Sequence, residues 1–307
     1  MSGGKRAFLF PGQGSQYMGM AADLYQASPA ARALLEKLQD ATGFDLLRVM
    51  LEGPEEELRQ TQNAQPALMA HSLAALELLR EAGVEADTVA GHSLGEYTAL
   101  VAAGALAPED GIRLVRRRGE LMARAGDDQP GAMAAVIGME ADALQAVLDG
   151  ISSGIVVIAN YNCPGQLVIS GTPEAVAEAS AAAKRAGAHG AVPLKVSGAF
   201  HSPLMAPVAE EFAASLEQVG LGNAQVPVYC NVDALPHRTA AELRDCLRRQ
   251  LTGAVLWEAS IRRMIAAGVT KFVEVGPKDV LTRMMPRIDG SVCARAVGAW
   301  QDFEAVV

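Results

Sequence analysis

Val89-Ala-Gly-His-Ser-Leu-Gly-Glu-Tyr97 is the stretch whose reading decides the fold. A short apolar run ends near Val89, an apolar-periodic run extends from Leu94 to Leu106, and Gly91-His-Ser-Leu-Gly95 joins them. This is G-x-S-x-G between a strand and a helix, the setting in which the pattern carries chemistry. A turn that sharp lifts the Ser93 hydroxyl out of the sheet and to the mouth of the helix. The flanking glycines let neighbouring backbone pass close to the serine. The helix N-terminus offers free N–H groups to an oxyanion formed on a bound acyl group. In a chain with 30 glycines the same pentapeptide also fits a glycine-rich helix start with a buried serine cap. The strand-to-helix setting favours a nucleophile.

Working outward, 307 residues suffice for one large core or for one domain carrying a smaller insertion. Half the residues are hydrophobic and a fifth are charged, as in an ordinary soluble enzyme. A net charge of −9 argues against non-specific nucleic-acid binding, while leaving room for a local basic patch. The four cysteines (Cys163, Cys230, Cys246, Cys293) are scattered, with no C-x-x-C pair and no histidine cluster. Their spacing argues against a structural zinc and a disulfide framework and for a reducing cytoplasm. Ala7-Phe-Leu-Phe10 is too short for a signal-peptide core, and no run approaches a membrane helix. A cytoplasmic monomer is the expectation.

Arg6 to Phe10 reads as a buried first strand, followed by the glycine-rich loop Pro11-Gly-Gln-Gly-Ser-Gln16. That loop lacks the Gly-Lys-Ser/Thr ending of a phosphate loop, so nucleotide binding is discounted. Helices are expected over Pro29 to Ala41, from Pro66 to Ala82, and from Pro108 to about Ala125. Gly126-Asp-Asp-Gln-Pro-Gly131 is a turn-rich break. The next 65 or so residues read strand-helix-strand-strand-helix-strand, the ferredoxin-like order. Strands are expected at Ala132–Ile137, Ile155–Asn160, Gln166–Ser170 and Ala188–Lys195, with helices at Glu140–Leu148 and Pro173–Ala186. An inserted subdomain is therefore placed at 127–197, within a larger α/β domain of 1–126 and 198–307. Beyond it, helices are expected from Ser202 to Val219, Ala240 to Gln250, Glu258 to Ala267 and Val280 to Arg287. Strands are expected at Val226–Cys230 and Lys271–Val275. Strands alternating with helices imply a mostly parallel sheet covered on both faces.

A nucleophilic serine needs a base. Of the five histidines, His92 adjoins Ser93, but consecutive residues at an elbow point apart, which suits it to orienting rather than to proton transfer. His71 lies in a helical run, His189 opens a strand in the insert, and His237 sits in a polar turn that should be exposed. His201, in Ser197-Gly-Ala-Phe-His-Ser-Pro203, lies where the insert returns to the main domain, beside any cleft between them. From spacing it is either the base or a junction-loop hydrogen bonder. No aspartate stands in an obvious position to orient it, so a distant acid or a backbone carbonyl must do so. Arg113, Arg116, Arg117 and Arg118 share one helix and cannot share one face. Arg113 and Arg116 read as solvated. Arg117 and Arg118 project about 100° apart, so one can face inward and fork onto a substrate carboxylate.

Taken together, Pro11-Gly-Gln-Gly-Ser-Gln16, Gln62-Asn-Ala-Gln-Pro-Ala67, Gly91-His-Ser-Leu-Gly-Glu96, Arg118-Gly119, Asn160-Tyr-Asn-Cys-Pro-Gly-Gln166, Gly198-Ala-Phe-His-Ser202, Arg249-Gln-Leu251 and Glu274-Val-Gly-Pro277 resemble the ordered motifs of malonyl-CoA:acyl-carrier-protein transacylases. The resemblance spans essentially the whole chain. It implies an α/β-hydrolase-like core with a ferredoxin-like insert and a ping-pong acyl transfer from malonyl-CoA to the phosphopantetheine thiol of an acyl carrier protein, without a bound cofactor or metal. It implies Ser93 as nucleophile, His201 as base and then acid, and the amides of Gln13 and Leu94 as oxyanion hole. It also implies Arg118 as carboxylate partner and the Gln250 carbonyl as the group that holds the imidazole. His92, Gln65 and Asn160 fall to supporting positions, and Phe200 matches the pattern that accompanies malonyl rather than branched acyl groups. Lys278 replaces a commoner glycine in Gly276-Pro-Lys-Asp279, which puts the local turn in question, and Cys163 stands where the family often has serine or threonine. A serine thioesterase and a catalytically idle docking module are the competing readings. The acidity of carrier proteins implies a basic docking patch, with Lys184, Arg185, Lys195, Arg283 and Arg287 as candidates.

Overall fold

The computed structural model describes residues 4–196 and 198–305. The described residues form ten strands: β1 Lys5–Phe10, β2 Thr88–Gly91, β3 Ala132–Ile137, β4 Val156–Cys163, β5 Gln166–Gly171, β6 Gly190–Pro193, β7 Val228–Tyr229, β8 Pro236–His237, β9 Val269–Val275 and β10 Cys293–Val297. They make two sheets. The first runs β10-β9-β1-β2-β7-β8, parallel throughout except for β8 at one edge. The second runs β4-β5-β3-β6 and is antiparallel.

β1 explains why the first sheet is covered on both faces. Its residues from Ala7 to Phe10 are all buried, and a strand sends alternate side chains to opposite faces. Phe8 and Phe10 enter one apolar core, packed with the Thr61–Glu81 and Pro108–Asp128 helices. Ala7 and Leu9 enter a second, built on Trp257, Ile261, Met264 and Phe272. A third core, including Val136, Leu144, Ile169 and Val176, draws only on residues within 132–191.

Several elements differ from expectation. The helix expected from Pro66 starts at Thr61, so the proline lies inside it. Pro66 has no N–H to give the Gln62 carbonyl four residues back. Arg116 Nη1 supplies that bond at 2.9 Å and also reaches Asn63 Oδ1 at 2.6 Å, so Arg116 is not the solvated residue its sequence position suggests. The expected break at Gly126 is passed over, and the helix continues to Asp128 before Gln129 turns extended. The elbow helix is shorter than expected, Gly95–Ala102, because Gly104 adopts a left-handed φ of 73° and closes it. The expected Val280–Arg287 helix is a 3₁₀ turn, Thr282–Met284, followed by one helical turn, Met285–Ile288, with Pro286 inside it. β8, β10 and the short helices Ala22–Ala27, Leu46–Leu51 and Glu55–Arg59 were not foreseen. His237 is not exposed either; its side chain is half-buried against Asp233, 3.1 Å away. The expected boundary residue Ser197 lies outside the described residues, as do Met1–Gly3 and Val306–Val307.

Candidate active site

Backbone crowding forces the elbow. A Cβ on Gly91 would fall 1.9 Å from the Gly95 backbone, and one on Gly95 would fall 2.0 Å from Phe10 O. Only glycine tolerates both approaches. Between them Ser93 takes a φ of 51°, the left-handed region that most side chains avoid. Asn231, just beyond β7, brackets the turn: its Oδ1 accepts from Ser93 N at 2.7 Å and its Nδ2 donates to Gly91 O at 2.7 Å.

The base is His201. Its Nε2 lies 2.8 Å from Ser93 Oγ, across 108 residues of sequence. Its Nδ1 faces two carbonyls, Gln250 O at 2.9 Å and Gly253 O at 3.1 Å. A carbonyl only accepts, so Nδ1 carries the proton and Nε2 presents its lone pair to the serine. Two main-chain oxygens thus do the orienting work for which the sequence offered no acid. Burial, then the Arg118 charge, pushes the His201 pKa down to about 3, and the imidazole is neutral at neutral pH. His201 itself has a φ of 58°, so both members of this pair hold left-handed backbone.

The inward arginine is Arg118, only 1% exposed. Nη1 donates to Gln65 Oε1 at 2.9 Å, and Nη2 to Ser93 Oγ and Gln250 Oε1, each at 3.1 Å. None of these partners is a carboxylate, and among the described residues its buried Nε has no partner. The other arginines of the helix turn elsewhere: Arg113 to Asp110, Arg116 to Glu120, and Arg117 and Arg124 to Glu211. The acid nearest in charge is Glu96, whose own pKa burial raises to about 7. The site therefore holds a cation largely uncompensated by the protein, beneath the serine.

The remaining expected residues converge on one cavity of about 500 Å³, lined by Gln13, Ser93, Leu94, Arg118, Asn160, Phe200 and His201 among others. Among the described residues, neither the Gln13 nor the Leu94 amide finds a protein acceptor, so both can serve a ligand oxygen. Gly12 packs the first loop on the elbow so closely that a Cβ would meet His92 O at 2.5 Å. Gln65 is fully buried beneath Arg118, and the Phe200 ring stacks over Gly198. His92 does not touch the serine hydroxyl; its Nε2 pairs with Asn162 Oδ1 at 2.9 Å. Lys278 occupies the family's glycine position at φ 63° and sends Nζ to Gln16 O at 3.1 Å, tying its turn to the first loop. Of the basic candidates, Lys195 lines the cavity, and Lys278 and Arg59 join it unforeseen; Lys184, Arg185, Arg283 and Arg287 do not line it.

Two residues without an expected role stand out. Glu96 Oε2 accepts from Asn231 N at 2.9 Å and Gln250 Nε2 at 3.0 Å, and Gln250 Nε2 also donates to Ser93 O at 3.0 Å. Asn231 had one available signal: it follows a strand end of a parallel sheet, where such folds place their ligands. Glu96 had none, since a carboxylate in the first turn of a helix is ordinary capping.

A match to the acyl transferase domain model runs from residue 7 to 301. The chain belongs to that family. This acyl transferase is 46% identical over 305 residues to the malonyl CoA-acyl carrier protein transacylase of Bacillus subtilis, covering 99% of this chain and 96% of the relative. It is 42% identical over 293 residues to the Escherichia coli protein of the same name, covering 95% of each. Among solved structures, the acyl carrier protein S-malonyltransferase of Vibrio cholerae matches with a TM-score of 0.95 at 40% identity, covering 99% of this chain and 100% of that one. A type II PKS acyl-carrier protein in complex with its malonyl-transacylase includes a chain matching at the same TM-score, 0.95, and 40% identity, with 98% of each covered.

Proposed function

We propose that this acyltransferase moves a malonyl group from malonyl-CoA to the phosphopantetheine thiol of an acyl carrier protein, through an ester on Ser93. The observation that carries the reading is Arg118: a buried guanidinium whose protein partners are all neutral selects an acyl group that brings its own carboxylate. The names borne by the relatives point the same way.

Ser93 Oγ attacks the thioester carbonyl while His201 Nε2 takes its proton. The oxyanion is received by the amides of Gln13 and Leu94. Collapse expels the CoA sulfur, which takes the proton back from His201. The carrier thiol then enters, loses its proton to the same nitrogen and repeats the sequence in reverse. Arg118 holds the malonyl carboxylate and Phe200 narrows the cavity against a branched acyl group. Gln65 and Asn160 shape the wall, and His92 orients Asn162. We assign the β4-β5-β3-β6 sheet and its helices to a ferredoxin-like insert at 127–197, and the parallel sheet to an α/β-hydrolase-like core at 1–126 and 198–307. The chemistry needs no bound cofactor. We read the chain as a cytoplasmic monomer serving fatty-acid or polyketide synthesis, with Lys195, Lys278 and Arg59 as the basic rim that meets the acidic carrier.

Mass spectrometry after brief exposure to malonyl-CoA should find one malonyl adduct, on Ser93, absent from Ser93→Ala. Arg118→Ala should cost about 2–5 kcal/mol in malonyl transfer while acetyl transfer is spared. Sustained CoA release without carrier protein would instead mark a thioesterase.

A further inference from the structure

The four cysteines are dispersed in sequence, but two of them are not dispersed in space. Cys230 follows β7, Cys246 lies on the Ala240–Gln250 helix, and His237 closes β8. Their ligand atoms (two Sγ and one ring nitrogen) all lie within 4.8 Å of one another. Both thiols are free and buried. Bond lengths of about 2.0–2.3 Å place the ligand atoms of a tetrahedral zinc site roughly 3.3–3.8 Å apart. The three atoms need to close by an ångström or so, a matter of side-chain rotation.

What surrounds the trio suits a cation with thiolate ligands. Asp233 Oδ2 lies 3.1 Å from His237 Nε2, the carboxylate-on-imidazole arrangement that orients metal-bound histidines. The same oxygen lies 3.7 Å from Cys246 Sγ, within reach of a fourth ligand position. Arg249 Nη2 stands 3.7 Å from Cys246 Sγ and 3.4 Å from Asp233 Oδ2, a positive charge to balance two thiolates and a carboxylate around a dication. His237 and Asp233 keep 16% and 21% of their side chains exposed, whereas the cysteines are sealed, so an ion has a path in from one side.

We propose that Cys230, Cys246 and His237 form a structural site for a thiophilic divalent cation of the zinc class, with Asp233 orienting the imidazole or completing the coordination. On binding, each thiol releases its proton to solvent and its sulfur donates a lone pair; no electron is transferred. The site would join the two segments that serve the elbow, since Asn231 adjoins Cys230 and Gln250 ends the helix that carries Cys246. It touches neither Ser93 nor the cavity, so its existence does not depend on the transferase reading. It reverses the inference against zinc drawn from cysteine spacing.

The test uses the full chain, reduced with a phosphine, stripped with a chelator and titrated with cobalt chloride. One Co²⁺ per chain should bind with a thiolate-to-cobalt charge-transfer band, and zinc chloride should displace it. Cys293→Ser, at the exposed fourth cysteine, should keep the band; Cys246→Ser should lose it; Asp233→Asn should weaken binding about 10–100-fold. An absent band, or one that survives in Cys246→Ser, overturns the site. Should that variant not fold, X-ray absorption on the zinc-loaded wild type decides: two sulfur scatterers support the site, and an all-nitrogen-and-oxygen shell overturns it.

Discussion

At the scale of single residues, three side chains divide the work by what each is denied. Ser93 is denied a relaxed backbone, His201 a carboxylate and Arg118 an ionic partner. The missing carboxylate matters most for pH dependence. With only carbonyls at Nδ1, His201 lacks the charge that raises an imidazole pKa, and burial beside Arg118 depresses it to about 3. In the free enzyme the acid limb of kcat/KM should therefore lie well below the ordinary histidine value. A bound malonyl carboxylate offsets the Arg118 charge and removes one cause of that depression. The acid limb of kcat, which reports the enzyme–substrate and acyl-enzyme forms, should then fall at higher pH than that of kcat/KM. Two limbs coinciding near the ordinary histidine value would contradict this account.

At the scale of elements, the site depends on how closely the first loop approaches the elbow. His92 N donates to Phe10 O at 2.9 Å, and Gly12 lies flat against His92 O. The overlap of a methyl at Gly12 is with the His92 carbonyl of the backbone, so the loop must lift and carry the Gln13 amide with it. Gly12→Ala should cost about 1–3 kcal/mol of stability as an overpacking change. It should also lower kcat by roughly 10²–10³, the usual loss of one oxyanion donor. Urea unfolding and single-turnover acylation measure the two effects; acylation at the wild-type rate would show that the loop does not set the oxyanion hole. The opposing loop is held by Lys278, whose left-handed backbone costs about 1–2 kcal/mol over glycine. Lys278→Gly should relieve that strain and loosen the first loop together, raising Tm while lowering kcat. A fall in both would mean that the Nζ bonds outweigh the strain.

At the scale of the whole molecule, buried titratable groups set how stability follows pH, and they oppose one another. His71 and His201 are pushed by burial down to about 4 and about 3. The unfolded chain protonates them near 6.5, so they cost stability as pH falls below that value. Burial raises Glu96 and Glu274 to about 7, so the folded state holds protons that the unfolded chain sheds near 4.5, and they lend stability as pH falls below 7. His92 is also lowered by burial, so between pH 4.5 and 6.5 three histidines outweigh the two glutamates and stability should decline gently as pH falls. Below 4.5 it should fall, more steeply because paired carboxylates such as Glu57 and Glu211 are held low by Arg48 and Arg124. Glu96→Gln removes one counterweight. Its stability should decline about 1.4 kcal/mol per unit more steeply than that of the wild type as pH drops from 6.5 to 4.5, the worth of one proton. Denaturant midpoints across that range check it; a variant with the wild-type slope would mean that Glu96 titrates normally.

Local information settled what depends on neighbours in sequence. The G-x-S-x-G elbow, the buried alternation of β1 and the strand-helix order of residues 132–193 were legible because steric limits and side-chain periodicity act over a few residues. Spacing could also nominate His201, with His92 set aside because consecutive residues at an elbow point apart, but choosing Arg118 over Arg117 drew on the family resemblance. What only the tertiary structure decided is which distant atoms meet. The Ser93–His201 pair spans 108 residues, and Gln250 reaches Ser93 O across 157. Such contacts are set by how a parallel sheet and its two covering layers stack, which no local pattern encodes. The same holds for the unexpected roles of Asn231 and Glu96, for Arg116 answering the carbonyl that Pro66 leaves open, and for Cys230 lying beside Cys246. Sequence determined that an elbow serine would stand above this sheet; packing decided which imidazole and which buried cation meet it, and the backbone that holds them.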